Sequence, residues 1–221
     1  MIDFFNINNT LFSIGGTGVS VLEFCSVILG LTTVFLAGRG KSYNYWFGYI
    51  YSILLFFLFL QKHLYSSMIL QPISLVIAIF GHYRWTHPKK GEENKKRELK
   101  ISLLTNRQRV IHVAIILLFA AIWGWMLSML HVTWPDTFPM ARAPYLDALI
   151  TATLLTAQYL SAQKKLDCWA AWLVVNTANI ILYLKAGLVF MPMVSAAYLI
   201  MAVLGFTGWR KEWKKEQYVN D

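Results

Sequence analysis

The sequence has few charged residues, and most of those it has are basic. Charged side chains make up 14% of its 221 residues, with 20 Lys and Arg against 11 Asp and Glu, whereas hydrophobic residues make up 57%. In soluble domains about a quarter of the residues are charged, so this composition excludes an ordinary soluble domain. Because the charges lie in clusters between apolar runs, the sequence predicts an all-α, polytopic integral membrane protein.

Several kinds of chemistry lack the residues they need. The two cysteines, Cys25 and Cys168, are predicted near opposite faces of the membrane, so no disulfide is expected. The five histidines are scattered near the ends of apolar runs, without paired spacing for a metal. The segment Gly40–Ser42 resembles the end of a phosphate-binding loop, but that motif requires glycine where this chain has Phe35. We therefore predict no catalytic residues, no metal, no cofactor and no ATPase.

Apolar runs between the charge clusters predict seven transmembrane helices. The predicted spans are 18–37, 46–61, 66–83, 110–130, 146–163, 168–184 and 191–209. They divide the chain into an N-terminal segment without a basic signal-peptide region, a three-helix unit, a basic loop, a linker helix, a second three-helix unit and a tail. These regions are 1–17, 18–85, 86–109, 110–130, 146–209 and 210–221.

The basic residues predict the orientation of these helices. With seven spans, the loops after spans one, three and five lie on the same side as the C-terminus. Seventeen of the 20 Lys and Arg residues fall on that side, and the other three are Lys62, Arg142 and Lys185. The positive-inside rule then predicts an outside N-terminus and a cytoplasmic C-terminus. The net charge of +9 follows from this topology and from contact with membrane lipids, so no nucleic-acid partner is predicted.

The two three-helix units repeat one another in sequence. A shift of 123 or 124 residues pairs Glu23 with Asp147 and Trp85 with Trp209. The other pairs are Lys41–Lys165, Trp46–Trp169, Tyr49–Trp172, Lys62–Lys185 and Gly81–Gly205. Because each unit has three spans, the linker span returns the second unit to the orientation of the first. The sequence therefore predicts parallel repeats in a 3+1+3 arrangement, with substrate held between the units near the midplane.

A stripe of aromatic and polar side chains follows the sixth span. Trp169, Trp172, Asn176, Asn179 and Tyr183 are separated by steps of three or four residues, which places them on one face of a helix at membrane depth. Intramembrane polar groups often face a substrate path. Two indoles beside two carboxamides suit a flat, hydrogen-bonding heteroaromatic ligand. The alternative is that the aromatic residues anchor the helix at the interface and the amides join neighbouring helices.

Other spans supply further candidates for a substrate site. The candidates are Trp46, Tyr49, Gln71, Gln158 and Tyr198. The equivalent stripe in span two keeps its first two aromatics but replaces both amides and the tyrosine with apolar residues, so a cavity between the units would have unequal walls. Each polar residue alone has a helix–helix contact as its alternative role. Glu23 and Asp147 are expected at the outer ends of their spans, where they fix helix ends or, alternatively, couple protons.

In these motifs the sequence resembles the PnuC family of bacterial nicotinamide riboside transporters over about residues 18–213. The spacing of Trp169, Trp172, Asn176 and Tyr183 matches the family signature, and the 3+1+3 layout resembles the SWEET-like fold. The resemblance implies that the two Trp and the Asn bind nicotinamide riboside, a vitamin B3 precursor for NAD biosynthesis. It also implies facilitated diffusion across the bacterial inner membrane and a homotrimer, with trapping of the riboside by a cytoplasmic kinase. Relatives of this fold carry thiamine, riboflavin or deoxynucleosides, so these ligands stay open, as does an integral-membrane enzyme or receptor.

Overall fold

The computed structural model describes residues 5–61, 65–94, 98–133, 144–185 and 190–218. Within them the chain forms one β-hairpin followed by seven α-helices. The elements are β1 (Thr10–Ile14), β2 (Thr17–Ser20), α1 (Val21–Gly38), α2 (Asn44–Gln61), α3 (Tyr65–Thr86), α4 (Asn106–Thr133), α5 (Pro144–Ala162), α6 (Cys168–Lys185) and α7 (Phe190–Tyr218). A helix coincides with each predicted span, but α4 begins earlier than expected and α7 continues well into the predicted tail.

The outer surface of the bundle is apolar. Within the described residues, α1, α2, α4 and α7 are each long and apolar enough to cross a membrane. Val76, Val110 and Leu118 are among many large aliphatic side chains exposed on the helices. Such a surface is stable in contact with lipid, where every backbone group is already paired within a helix. The chain is therefore a helical integral membrane protein, while the crossing of the membrane by α3, α5 and α6 stays a prediction.

Six of the helices form a closed ring. Along the ring, α1 contacts α2, α2 contacts α3, α3 contacts α5, α5 contacts α6, α6 contacts α7, and α7 returns to α1. The linker helix α4 packs beside the ring, against α5. In this order α2 faces α6 across the ring, α1 faces α5, and α3 faces α7. A path along the ring axis is therefore bordered by helices of both three-helix units.

Contacts in the two units correspond at a constant shift of 124 residues. The Trp85 indole N–H donates to the carbonyl oxygen of Ser161 over 3.1 Å, and the Trp209 indole N–H donates to that of Ala37 over 3.0 Å. Each of these residues lies 124 positions from its counterpart, and each bond joins one unit to the other. The two bonds are therefore equivalent, and they support the repeat that the sequence predicts. Lys62, from one of the predicted pairs, lies outside the described residues.

The constant shift corrects both pairs predicted for aromatic residues of α2, and by it Gly48, rather than Tyr49, is the counterpart of Trp172. Tyr45, rather than Trp46, is the counterpart of Trp169. The Tyr45 ring packs edge-on against Trp85 with centroids 5.3 Å apart and planes at 87°, and the Trp169 ring packs against Trp209 at 5.3 Å and 86°. The shift of 123 used for this helix in the sequence comparison is one residue short. One residue rotates about 100° around an α-helix, so that alignment selected a different face of α2.

Three loops and the end of α7 meet at one end of the ring, which we call the basic end. It consists of residues 39–43, 87–94, 98–105, 163–167 and 210–218. The Ser102 amide donates to the carbonyl of Lys164, and the Leu166 amide donates to the carbonyl of Ser102. Leu99 and Ile101 are buried against the bundle core. The described part of the predicted basic loop is therefore a folded cap that packs on the α5–α6 connection.

The opposite end of the ring carries the β-hairpin, which the sequence analysis did not predict. Gly15 and Gly16 both have positive φ, as the tight turn between two antiparallel strands requires. The hairpin leads directly into α1, where Ser20 and Glu23 form a capping box: each side chain accepts a hydrogen bond from the backbone amide of the other. Glu23 thus fixes a helix end, and Asp147 lies exposed in the first turn of α5.

Candidate functional site

The predicted stripe on α6 lies on the protein-facing side of that helix. Trp169 and Asn176 are 2% and 6% exposed, and Trp172 and Asn179 are half-buried. Val174, Ile181 and Leu184, on the other side of α6, are among the exposed apolar side chains. Asn176 is eight residues into the helix, about 12 Å from its start, and therefore near mid-depth. Tyr183 belongs to α6, but its side chain lies outside the described part of the structure.

Trp169 fills a space that two glycines leave open near the basic end. Gly205 of α7 lies directly under its ring, and Gly38 of α1 borders both. A side chain on Gly205 would overlap the indole, so the close approach of α6 and α7 depends on that glycine. The Trp169 Nε1 is buried and has no hydrogen-bond partner among the described residues. An unpaired buried donor costs roughly 1–3 kcal/mol, which a ligand acceptor would recover.

A second unpaired polar atom lies on the neighbouring helix α5. The Gln158 Oε1 is buried and accepts no hydrogen bond from any residue that the structure describes. Gln158 is four residues from the end of α5, and Trp172 is four residues from the start of α6, so both lie about 6 Å from the basic ends of their helices. Within the described chain, these two unpaired buried side-chain atoms both belong to predicted site residues.

Asn176 is only partly satisfied by its own helix. Its Nδ2 donates to the Trp172 carbonyl over 2.8 Å. No described residue donates to its Oδ1, which is therefore free to accept a hydrogen from a ligand. Ser52, 124 residues earlier, is buried on α2 at the same depth. Because α2 and α6 face each other across the ring, Ser52 is a further polar candidate on the facing helix, which the sequence analysis missed.

Tyr198 takes part in a pair between α7 and α2. Its hydroxyl donates to that of Tyr51 over 3.5 Å, and both rings lie against Gly30 of α1. Gly30 is buried, and an added side chain there would overlap the Tyr198 hydroxyl. The two hydroxyls therefore meet over α1, between its two ring neighbours. Tyr51 was not predicted as a site residue.

Three other candidates lie in different surroundings. Tyr49 shares a hydrogen bond with the Nδ1 of His82 over 2.9 Å, and Gln71 donates to the carbonyl of Ser67 in its own helix over 3.0 Å. Trp46 is 61% exposed and belongs to an outward stripe of large apolar side chains on α2. The other members of that stripe are Ile50, Ile53, Phe57 and Leu60. The assignment of Trp46 to the site is corrected: its side chain faces outward, away from the ring axis.

Two of the residues that were missed could have been found from the repeat. Tyr45 and Ser52 follow from applying the 124-residue shift to Trp169 and Asn176. The pairs that begin with Lys41, Gly81 and Trp85 already have a shift of 124, and they lie on both sides of α2 in the first unit. Tyr51 has no polar counterpart on α6, where position 175 is valine, so its role depends on the approach of Tyr198 and could not be inferred from the repeat.

Comparison with known proteins gives a consistent result. A family model described as nicotinamide mononucleotide transporter matches residues 20–211. The nicotinamide riboside transporter PnuC of Escherichia coli (strain K12) is 27% identical over 230 residues, covering 95% of this chain and 93% of that protein. The riboflavin/roseoflavin transporter RibM of Streptomyces davaonensis is 24% identical over 182 residues, covering 82% and 81%. A crystal structure of the vitamin B3 transporter PnuC matches with a TM-score of 0.66 and 25% identity, over 88% of this chain and 83% of that one.

The family match runs from the start of α1 into the last part of α7, and so includes the ring, α4 and the folded cap. The relatives are transporters by name, as is the protein in the crystal structure, which agrees with a role in transport rather than catalysis. The resemblance to PnuC proteins inferred from the sequence is confirmed. The chain belongs to the nicotinamide mononucleotide transporter family.

Proposed function

We propose that this protein carries nicotinamide riboside through the ring by facilitated diffusion across the bacterial inner membrane. The site is supported by two buried atoms without hydrogen-bond partners among the described residues: Trp169 Nε1 on α6, the helix that also carries Asn176, and Gln158 Oε1 on the neighbouring helix α5. Buried polar groups are normally satisfied, so unpaired ones on a membrane path are available to a polar ligand. We choose nicotinamide riboside as the ligand because the related PnuC proteins are named as its transporters.

Nicotinamide riboside offers complementary groups to these side chains. Its flat pyridinium ring carries a positive charge, which suits stacking on the Trp172 indole. Its carboxamide and ribose hydroxyls supply donors for Asn176 Oδ1 and Gln158 Oε1, and acceptors for Trp169 Nε1. Ser52 on α2 and Asn179 on α6 add polar groups on two helices that face each other. The hydroxyl pair of Tyr198 and Tyr51 adds polar groups beside α1. Tyr183 is retained as a predicted contact.

Transport in this proposal is passive. The acidic residues within the seven helices are Glu23, Asp147, Glu212 and Glu216, all close to helix ends. A carboxylate at mid-depth, of the kind that couples transport to protons, is therefore lacking from the described helices. Phosphorylation of the riboside by a cytoplasmic kinase then keeps it inside the cell. The two parallel three-helix units move relative to one another around the site, as in other repeat transporters.

Counterflow in proteoliposomes tests this proposal. Vesicles loaded with unlabelled nicotinamide riboside should accumulate labelled riboside transiently, because a carrier exchanges one molecule for another. Unlabelled riboflavin serves as the competitor, since RibM makes riboflavin the second candidate substrate. If labelled riboflavin is exchanged and labelled riboside is not, riboflavin would replace nicotinamide riboside as the proposed substrate. Chemical alteration of the riboside, or binding without exchange, would reject transport.

Initial uptake should be insensitive to ion gradients. In vesicles without a kinase, collapsing the proton and sodium gradients should leave the initial rate nearly unchanged, because the helices that the structure describes hold no carboxylate at mid-depth. The measurement is labelled uptake over the first seconds with and without ionophores. A many-fold loss on collapse would contradict facilitated diffusion and would direct attention to Glu23 and Asp147.

The proposed orientation has seven membrane-spanning helices, the N-terminus outside and the basic end in the cytoplasm. Lipids contact the exposed apolar faces, and a homotrimer is the assembly that the family resemblance implies. In a cysteine-free background, a cysteine replacing exposed Lys90 should react with an impermeant maleimide only after permeabilisation. A cysteine replacing exposed Asn8, beside the hairpin, should react in intact cells. The reverse labelling pattern would show the opposite orientation, with the N-terminus in the cytoplasm and the basic end outside.

A further inference from the structure

A lysine ammonium is buried at the basic end, over the face of a tryptophan. Lys164 is 1% exposed, and its Nζ lies 4.9 Å from the centroid of the Trp85 ring. Trp85 in turn contacts Trp209, with ring centroids 5.7 Å apart. Because α3 and α7 face each other across the ring, these two indoles meet at its axis. The ammonium therefore lies where a solute moving along the axis would leave the ring at the basic end.

A polar cavity of about 230 Å³ adjoins this ammonium. Its lining residues are Gly40, Ser42, Trp85, Thr86, Glu98 and Lys164. One water in the liquid occupies about 30 Å³, so the cavity has room for several waters or a small heteroaromatic ring. Among the described residues no acceptor lies within hydrogen-bonding distance of Nζ. The cavity is therefore next to a cation that the protein stabilises without a direct ion pair.

Three acidic side chains lie near the buried ammonium. The carboxylates of Glu98, Glu212 and Glu216 all attract the ammonium, and Glu212 Oε2 and Lys164 Nζ both lie within 4 Å of the position that a Cβ on Gly40 would take. Burial lowers the pKa of Lys164, and these three carboxylates oppose that effect. An aromatic face with an acidic rim is the usual arrangement for binding an organic cation.

The two units differ at this position. The counterpart of Lys164, 124 residues earlier, is Gly40, and both have left-handed backbone conformations, with φ of 52° and 69°. Glycine adopts this conformation freely, whereas lysine does so with difficulty. The second unit thus has Lys164 at a position whose backbone conformation would suit glycine, the residue that the first unit has there. The side chain, rather than the backbone, accounts for its presence.

We propose that the Trp85 face and its acidic rim form a second binding site for an organic cation, and that Lys164 occupies this site when no ligand is present. The inference rests on the proposed function, because nicotinamide riboside carries a permanent positive charge on its pyridinium nitrogen. A riboside leaving the central site displaces the ammonium from the indole. The flexible lysine side chain then moves towards Glu212 and Glu216, and returns after the riboside has left.

The probe is N-methylnicotinamide methylated on the ring nitrogen, a small permanent pyridinium cation, with neutral nicotinamide as its uncharged comparison. Lys164→Gly removes the resident cation and installs the residue of the first unit, which suits the backbone. Binding of N-methylnicotinamide to purified protein, measured by tryptophan fluorescence and calorimetry, should tighten about fivefold, because the competing ammonium is gone. Binding of nicotinamide should not change.

The matched control is Lys165→Ala. Lys165 is the adjacent basic residue, and its Nζ donates to the Ser102 hydroxyl over 2.8 Å, away from Trp85. Its replacement removes the same charge and should leave the affinity for N-methylnicotinamide unchanged. Lys164→Arg keeps a cation at the site and should bind the probe as weakly as the wild type. Adding Trp85→Leu to Lys164→Gly should abolish the gain. If Lys164→Gly does not fold, Lys164→Asn gives the same comparison, because asparagine tolerates this backbone conformation.

The inference is overturned if Lys164→Gly binds N-methylnicotinamide as the wild type does, or if Lys165→Ala produces the same gain. An equal gain for neutral nicotinamide would also overturn it, because that result would reflect space rather than charge. Failure of the wild type to exchange nicotinamide riboside would reject the proposed function instead. The two failures can be distinguished because probe binding to the purified variants is measured without transport.

Discussion

Replacing Asn176 by leucine is expected to weaken the binding of nicotinamide riboside by roughly 5- to 150-fold, which corresponds to about 1–3 kcal/mol. The substitution keeps the approximate size of the side chain and removes its donor and acceptor. Part of the loss comes from a polar group of the ligand left unpaired in a site without water. The hydrogen bond lost within the protein runs to the Trp172 carbonyl of the same helix, so α6 itself should persist. Ligand titration on purified, monodisperse protein measures the effect.

Thr177→Leu is the matched control, because Thr177 is adjacent to Asn176 on α6 but exposed, on the side of the helix that carries Val174 and Ile181. It should bind the riboside with wild-type affinity. If Asn176 only joins helices, the result differs: Asn176→Leu would express poorly and melt at a lower temperature, but its folded fraction would bind normally. Wild-type affinity in the monodisperse variant would therefore remove Asn176 from the site.

Gly205→Ala is expected to destabilise the protein by about 1–3 kcal/mol and to weaken riboside binding as well. The new methyl group would overlap the Trp169 ring, which is itself confined by Trp209 and by Gly38. Either α6 and α7 separate or the indole rotates away, and both changes disturb a predicted ligand contact. Thermal unfolding of the purified protein and ligand titration measure the two effects separately.

Gly208→Ala is the control on the same helix. Its added methyl group would meet the Gly38 carbonyl oxygen at 3.4 Å, close to ordinary contact distance, and alanine favours helix more than glycine does. Its melting temperature should match or slightly exceed that of the wild type. Equal melting temperatures for Gly205→Ala and Gly208→Ala would show that the packing of Trp169 is not tight.

The positions of the helices could be predicted because each contains a long apolar run. The residues at which the helices begin and end could not be predicted in this way. α7 continues to Tyr218 because charged residues at the basic end extend the helix beyond its apolar part. The hairpin was missed because its two strands have five and four residues, too short for a periodic pattern to stand out. The folded cap was missed because Leu99 and Ile101 are isolated apolar residues in a basic segment, and only tertiary packing explains their burial.

The candidate site was partly predictable for a similar reason. Helical spacing alone placed Trp169, Trp172 and Asn176 on one buried face of α6. On α2 the same method failed by one residue, and the resulting rotation replaced Tyr45 by the outward-facing Trp46. Lys164 could not be predicted at all. A lysine in a basic loop is expected to be solvated, and its burial depends on Trp85 and on three carboxylates distant in sequence.

The two equivalent indole–carbonyl bonds of Trp85 and Trp209 affect how the carrier behaves when empty. Both join one unit to the other at the same end, and the indoles that donate them are in contact. Opening that end requires both bonds to break together, at a cost of about 0.5–1.5 kcal/mol each. The unloaded protein therefore favours the conformation closed at the basic end. In the proposed orientation, with the basic end in the cytoplasm, such a carrier would have unequal half-saturation concentrations on its two sides and would take up solute more readily from the medium than from the cell.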